Sequence, residues 1–185
     1  TSYAAGSAYK NLTTEQHGVI KLYAQWAQNT YTVKYDKNTG VLKSGADANA
    51  ETVIKYEDAA IDFRDVSSLF YKTGYHIESA TAWLFGSTSG AVYPETATSD
   101  ASYLSPIKSA IEKKKSASAT VYANWVENTY TIHFDKNMPD RASSSVQGSM
   151  SDMPDLLWTQ NHVLSDNHFS LTGWTFKGWS LSKTD

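Results

Sequence analysis

The chain has 185 residues, a formal net charge of −3 and no cysteine. The missing thiols exclude a disulfide scaffold, a thiolate metal site and a Cys nucleophile, and the charge balance lacks the basic stripe that nucleic-acid binding requires. No apolar run approaches the roughly eighteen residues of a membrane span, whereas 12 Tyr and 6 Trp beside many Thr, Val and Ile lean toward strands.

In chain order, the first periodic stretch is Ile20, Leu22, Ala24 and Trp26, alternating with Lys21, Tyr23 and Gln25. After a short link, Ala27–Thr30, a second alternation sets Tyr31, Val33 and Tyr35 against Thr32, Lys34 and Asp36. Period two is the signature of strands with one buried face. Asp36-Lys37-Asn38-Thr39-Gly40 closes the second strand with turn chemistry. Glu51–Tyr56 is a further strand, Ser68–Tyr71 and His76–Phe85 are apolar runs of either type, and Gly86–Gly90 is a loop. Ser102–Lys115 carries Leu104, Ile107 and Ile111 at helical spacing, with Pro106 expected near its first turn. Val121, Ala123 and Trp125 then alternate again, followed by the link Val126–Thr129, the strand Tyr130–Phe134 and the turn Asp135–Asp140. Ser149–Leu157 carries Met150, Met153, Leu156 and Leu157, and Trp174–Leu181 reads as a strand broken by Gly178.

The two anchors are copies. LYAQWAQNTYTVKYDKN at 22–38 returns as VYANWVENTYTIHFDKN at 121–137, with ten of seventeen positions identical and an offset of 99 (Trp125 minus Trp26). The same offset relates Thr73-Gly74-Tyr75 to Thr172-Gly173-Trp174. A fixed period of this kind marks a repeat of whole modules. Residues 28–127 make one complete module, 1–27 the C-terminal tail of a preceding one, and 128–185 the N-terminal part of a following one. Tail and head together come close to one period, and they are expected to complete each other within a chain or between chains. The chain reads as a fragment whose targeting and anchoring segments lie elsewhere. Tandem modules usually supply length or extended surface rather than an active site.

Leu22–Trp26, Val121–Trp125, Tyr31–Asn38, Tyr130–Asn137 and Gly173–Trp179 resemble the motifs of the Listeria–Bacteroides repeat, the internalin-type B-repeat. The middle copy departs from the pattern: it lacks the Gly-Trp end, and Trp83 stands later than Trp179 would place it. The resemblance implies an α+β, strand-rich fold of tandem β-grasp-like modules, each a small curved mixed sheet crossed by one short helix. It also implies a bacterial cell-surface or secreted location, with the repeats serving as stalk or adhesive segments. The expected partners are neighbouring repeats, and in the adhesive alternative a host glycan or protein.

The chemistry-bearing residues form no recognisable catalytic pattern: no phosphate loop, no H-E-x-x-H and no G-x-S-x-G. The reading is non-enzymatic, with no cofactor and no metal. His162 and His168 are six apart, a spacing that leaves room for a shared metal but suits surface histidines better. His133 occupies the place of Lys34 in the sister copy, so it reads as a surface position. Asp36–Gly40 has the oxygen ligands of a calcium loop's start without its closing Glu, and reads as a plain turn. Glu57, Asp58, Asp62 and Asp65 form the densest carboxylate group. Trp26 and Trp125 are expected in the core, while Trp83 and Trp158 lie outside the shared motifs and are the candidate ligand-binding residues.

Overall fold

Strand β1 (Thr30–Asp36) puts Tyr31, Val33 and Tyr35 on one face, and all three are buried. The computed structural model describes residues 2–183 and builds its core around this strand. β2 (Val41–Leu42), β3 (Glu51–Lys55), the one-turn helix α1 (Val66–Leu69), β4 (Phe70–Tyr71), β5 (Tyr75–Ile77), a 3-10 turn (Ser79–Thr81), β6 (Trp83–Phe85) and β7 (Ala91–Tyr93) follow. Helix α2 (Ala101–Ile111) leads into β8 (Ser116–Ala123), β9 (Trp125–Glu127), β10 (Thr129–Ile132) and β11 (Met153–Leu157). The main sheet has the order β3-β1-β8-β6-β7, in which β1 and β8 run parallel and the other pairs antiparallel. The fold is α+β, strand-rich and mixed.

Asp100 caps α2 by accepting from Ser102 N at 2.8 Å, which satisfies one of the amides left free at a helix start. Leu104, Ile107 and Ile111 face the sheet and are buried, as their spacing predicts. Pro106 lies in the second turn rather than the first. Having no N–H, it leaves the Ser102 carbonyl without an intrahelical donor. At the other end Asn29 Nδ2 donates to the Ile111 carbonyl at 2.8 Å. The short apolar runs resolve into both types: Asp65 caps α1, while Phe70 and Tyr71 pair with Leu42 and Val41.

Three sequence expectations fail. Residues 20–26 form no strand, and Trp26 is 92% exposed rather than a core anchor. Its sister segment is a strand because β1 and β6 flank it; among the described residues 2–27 has no such neighbours, and the hydrogen bonds given for it stay within the segment. Trp174–Leu181 also forms no strand. Its sister β5 pairs with β9, and 174–176 has no equivalent partner among the described residues. Among the described residues no strand pairing joins 2–27 to 129–183. Trp125 keeps a half-buried place against the core, donating its indole N–H to the Lys37 carbonyl at 2.9 Å.

The following segment nonetheless repeats the geometry of the middle one. β10 pairs antiparallel with β11 as β1 does with β3, Thr129 meeting Leu157 where Thr30 meets Lys55. The bridge Gln147–Ser170 stands where β2 meets β4. Asp36 accepts from Asn38 N at 2.7 Å and Asp135 from Asn137 N at 2.6 Å. Gly74 and Gly173 take φ of +79° and +80°, each in a turn closed by the next residue's amide. Trp83 packs on Tyr35 and Phe70 with ring centroids at 4.9 and 6.4 Å. Trp179 packs on Phe134 and Phe169 at 4.7 and 6.1 Å.

Candidate functional site

Trp83 is fully buried, and its indole N–H donates to the Arg64 carbonyl at 3.0 Å. It cannot present a ligand surface: β6 turns it inward onto Tyr35, and the departure from the repeat pattern that singled it out is a shift in chain position, not in spatial role. Trp158 is half exposed but occupied. It lies over Gly74, where an added Cβ would come within 2.2 Å of the indole ring. Trp158 N donates to the Asn128 carbonyl at 3.1 Å, and Asn128 N donates to the Gly74 carbonyl at 2.9 Å. Thr159 N donates to Glu127 Oε1 at 2.7 Å, and hydrogen bonds from Thr159 hold the Glu127 carboxyl below its usual range. These contacts tie the Gly74 turn and β9 to the residues that follow β11.

Two of these bonds have counterparts at the end of the β1–β3 pair. Tyr56 N donates to the Asn29 carbonyl at 3.0 Å, as Trp158 N does to Asn128. Glu57 N donates to Gln28 Oε1 at 3.5 Å, as Thr159 N does to Glu127. The backbone bond from the residue after the second strand is thus repeated, while the glycine turn covered by an indole is seen at Trp158, and the equivalence of Tyr56 and Trp158 shows only once β3 and β11 are aligned with their unequal connecting loops.

The carboxylate group foreseen around Asp58 does not assemble. Asp58 accepts from Lys55 N at 2.7 Å in the turn after β3. Asp65 pairs instead with Glu95, thirty residues away in sequence. Asp65 Oδ1 accepts from Ser67 N and Ser67 Oγ, both at 2.7 Å, and these bonds lower its pKa. Glu95 accepts from Val66 N and, at 3.3 Å, from Ser79 Oγ. Burial, and secondarily Asp65, pushes the Glu95 carboxyl up. Two carboxylates with pKa values driven apart can serve acid–base chemistry. Here both are consumed by backbone and hydroxyl partners at the start of α1. They border an open cleft of about 440 Å³ with Tyr71, Tyr75, His76 and Trp125.

The histidines do not share a ligand. His162 Nε2 bonds the Leu157 carbonyl at 2.9 Å with its ring against Tyr130, while His168 borders a shallow cleft beside Asp152 and Ser165. His133 lies on the surface and meets Asp152 at 2.7 Å. Among the described residues no three His, Cys, Asp or Glu side chains come together in a metal-binding group.

No family model matches the chain, and no solved structure matches it. It is similar to a protein of Evansella cellulosilytica named "Putative membrane protein", with 27% identity over 163 residues, 88% of this chain. Those residues span 19% of that protein's length. No helix among the described residues is long and apolar enough to cross a membrane.

Proposed function

We propose that the chain is a piece of tandem β-grasp-like modules in an extracellular, surface-attached bacterial protein, where they act as a stalk or spacer of the Listeria–Bacteroides repeat type. The observation that carries this reading is the repeat: β10 pairs with β11 as β1 does with β3, the Asn128–Trp158 bond recurs as Asn29–Tyr56, and Asn128, Gly74 and Trp158 form a joint between the two copies. A joint specified by hydrogen bonds fixes the angle between successive modules, which a spacer needs and an isolated domain does not. The similarity to a much longer protein with a membrane-protein name fits a role as one segment of an anchored chain. The mixed sheet with one crossing helix fits the β-grasp-like plan. Of the two candidate ligand residues of the adhesin alternative, Trp83 is buried in the core and Trp158, half exposed, packs over Gly74.

Small-angle X-ray scattering tests the spacer reading. The wild type is expected to give one maximum dimension, and Trp158→Ala a broader, shorter distribution with the middle module's melt unchanged. Equal profiles for both would remove the joint as a stiffening element. Saturable binding to a host glycan or matrix-protein array would favour the adhesin.

A further inference from the structure

Trp83 stands six residues after Ile77, whereas Trp179 stands three after Phe176. Both tryptophans pack on the matching aromatic, Tyr35 or Phe134, so the middle module carries extra residues before its tryptophan. They form the 3-10 turn Ser79–Thr81. Glu95 fastens this turn to α1. Its amide donates to the Ser79 carbonyl at 2.8 Å, and its carboxyl accepts from Ser79 Oγ at 3.3 Å and from Val66 N. The turn, the start of α1 and the strand pairs β2–β4 and β5–β9 border the open cleft of about 440 Å³. Every residue that lines it falls between Lys43 and Trp125, inside the complete module.

The repeat supplies an internal control. Tyr71, Lys72 and His76 line the cleft, and the offset of 99 puts Ser170, Leu171 and Thr175 at their positions in the next copy. Ser170 still makes the bridge to Gln147 that corresponds to the β2–β4 pair. The fold therefore does not need a tyrosine at this place, yet Tyr71 keeps a large ring there, 47% exposed.

We propose that this cleft binds a neutral saccharide. Its charges oppose one another, Lys43 and Lys72 against Asp65 and Glu95, so an ionic ligand of either sign meets a like charge, which is costly. A cationic ligand is disfavoured a second time, because Lys72 Nζ already lies 3.9 Å from the centroid of the Tyr75 ring. Tyr71, Tyr75 and Trp125 supply aromatic surface. A pyranose offers an apolar C–H face to such rings, and its hydroxyls both donate and accept. They can take bonds from lysine donors while giving bonds to carboxylates, whose roughly four lone-pair sites exceed the bonds already made to α1 and the turn. The lining is fixed in advance. Trp125 donates its indole N–H to the Lys37 carbonyl at 2.9 Å, and Lys72 Nζ donates to Thr39 Oγ1 at 3.1 Å. Groups held in place before binding lose less freedom when the ligand arrives. The volume falls within the range of small-molecule sites, about 300–1,000 Å³. Such a site goes beyond the spacer reading: it adds recognition to a module whose stiffness Trp158→Ala tests separately.

Calorimetric titration of the whole chain with maltotetraose, cellotetraose, mannotetraose and tetra-N-acetylchitotetraose, each to about 10 mM, tests the proposal. Saturable binding of at least one of these sugars is expected. Tyr71→Ser installs the residue of the next copy, so the melt should hold while Kd rises at least about tenfold. Tyr71→Phe keeps the ring and should stay within about threefold of wild type. Nuclear Overhauser contacts from sugar ring protons to the Tyr71 ring are expected in the saturated wild-type complex. No saturable binding of any of these sugars, or a Kd that Tyr71→Ser leaves unchanged, overturns the proposal. Absence of the Overhauser contacts overturns it even where Tyr71→Ser fails to fold. Binding confined to a heparin tetrasaccharide and weakened by salt overturns the assignment of a neutral ligand.

Discussion

Trp83 and Trp179 reach equivalent surroundings from positions that are not one repeat apart. Each indole donates to a carbonyl, that of Arg64 at 3.0 Å or Ser165 at 3.4 Å, and each packs tilted against the matching aromatic, Tyr35 or Phe134. Burial separates them: Trp83 is sealed by the full sheet, while Trp179 remains partly exposed. Trp83→Ala is accordingly expected to cost about 3–5 kcal/mol, the range for a buried large aromatic, read from the shift in denaturant midpoint. Glu95 offers a test with a sign. Its folded pKa is raised, so its ionisation weakens the fold progressively as pH rises from the ordinary Glu range through the raised value. Glu95→Gln keeps an acceptor for Val66 N and carries no charge to desolvate. Its melting temperature relative to wild type should increase over that window and level off above it; a constant difference at every pH would show that the carboxyl is not desolvated in the fold. Asp65 runs the opposite way, contributing stability that is lost as pH falls through its lowered value.

At the scale of elements, what could be read from sequence depended on whether the partner of each strand lies in the same chain. β1, β3 and α2 were legible because alternation or helical spacing coincides with real neighbours on the page of the fold. The 20–26 segment has an equally clear pattern and no strand, because periodicity reports which face would be buried and not whether anything is there to bury it. Trp158 could not be placed from sequence, since the loops before β11 and β3 differ in length and hide its equivalence to Tyr56. The Asp65–Glu95 pair was hidden for a different reason: it joins α1 to the loop after β7 through tertiary contact alone. The joint yields its own prediction. Gly74→Ala must hold φ near +79° and displace the Trp158 ring. The left-handed backbone alone costs about 1–2 kcal/mol, and the Trp158 emission should shift to the red as the indole swings into water.

For the whole molecule, the contrast between a bonded module and an unbonded leading segment should govern proteolysis. Lys10 and Lys21 lie in residues 2–27, where every side chain is exposed, so limited trypsin is expected to cut there first and leave a stable product beginning near residue 22. The parallel pairing of β1 with β8 has a mechanical meaning as well. The chain enters the sheet at the start of β1 and leaves it at the end of β8, and seven residue pairs join the two strands. Tension along the chain pulls these neighbours in opposite directions along their own length. The rungs are then sheared together instead of being opened one after another, which is the loading geometry that lets a small module resist force out of proportion to its thermodynamic stability.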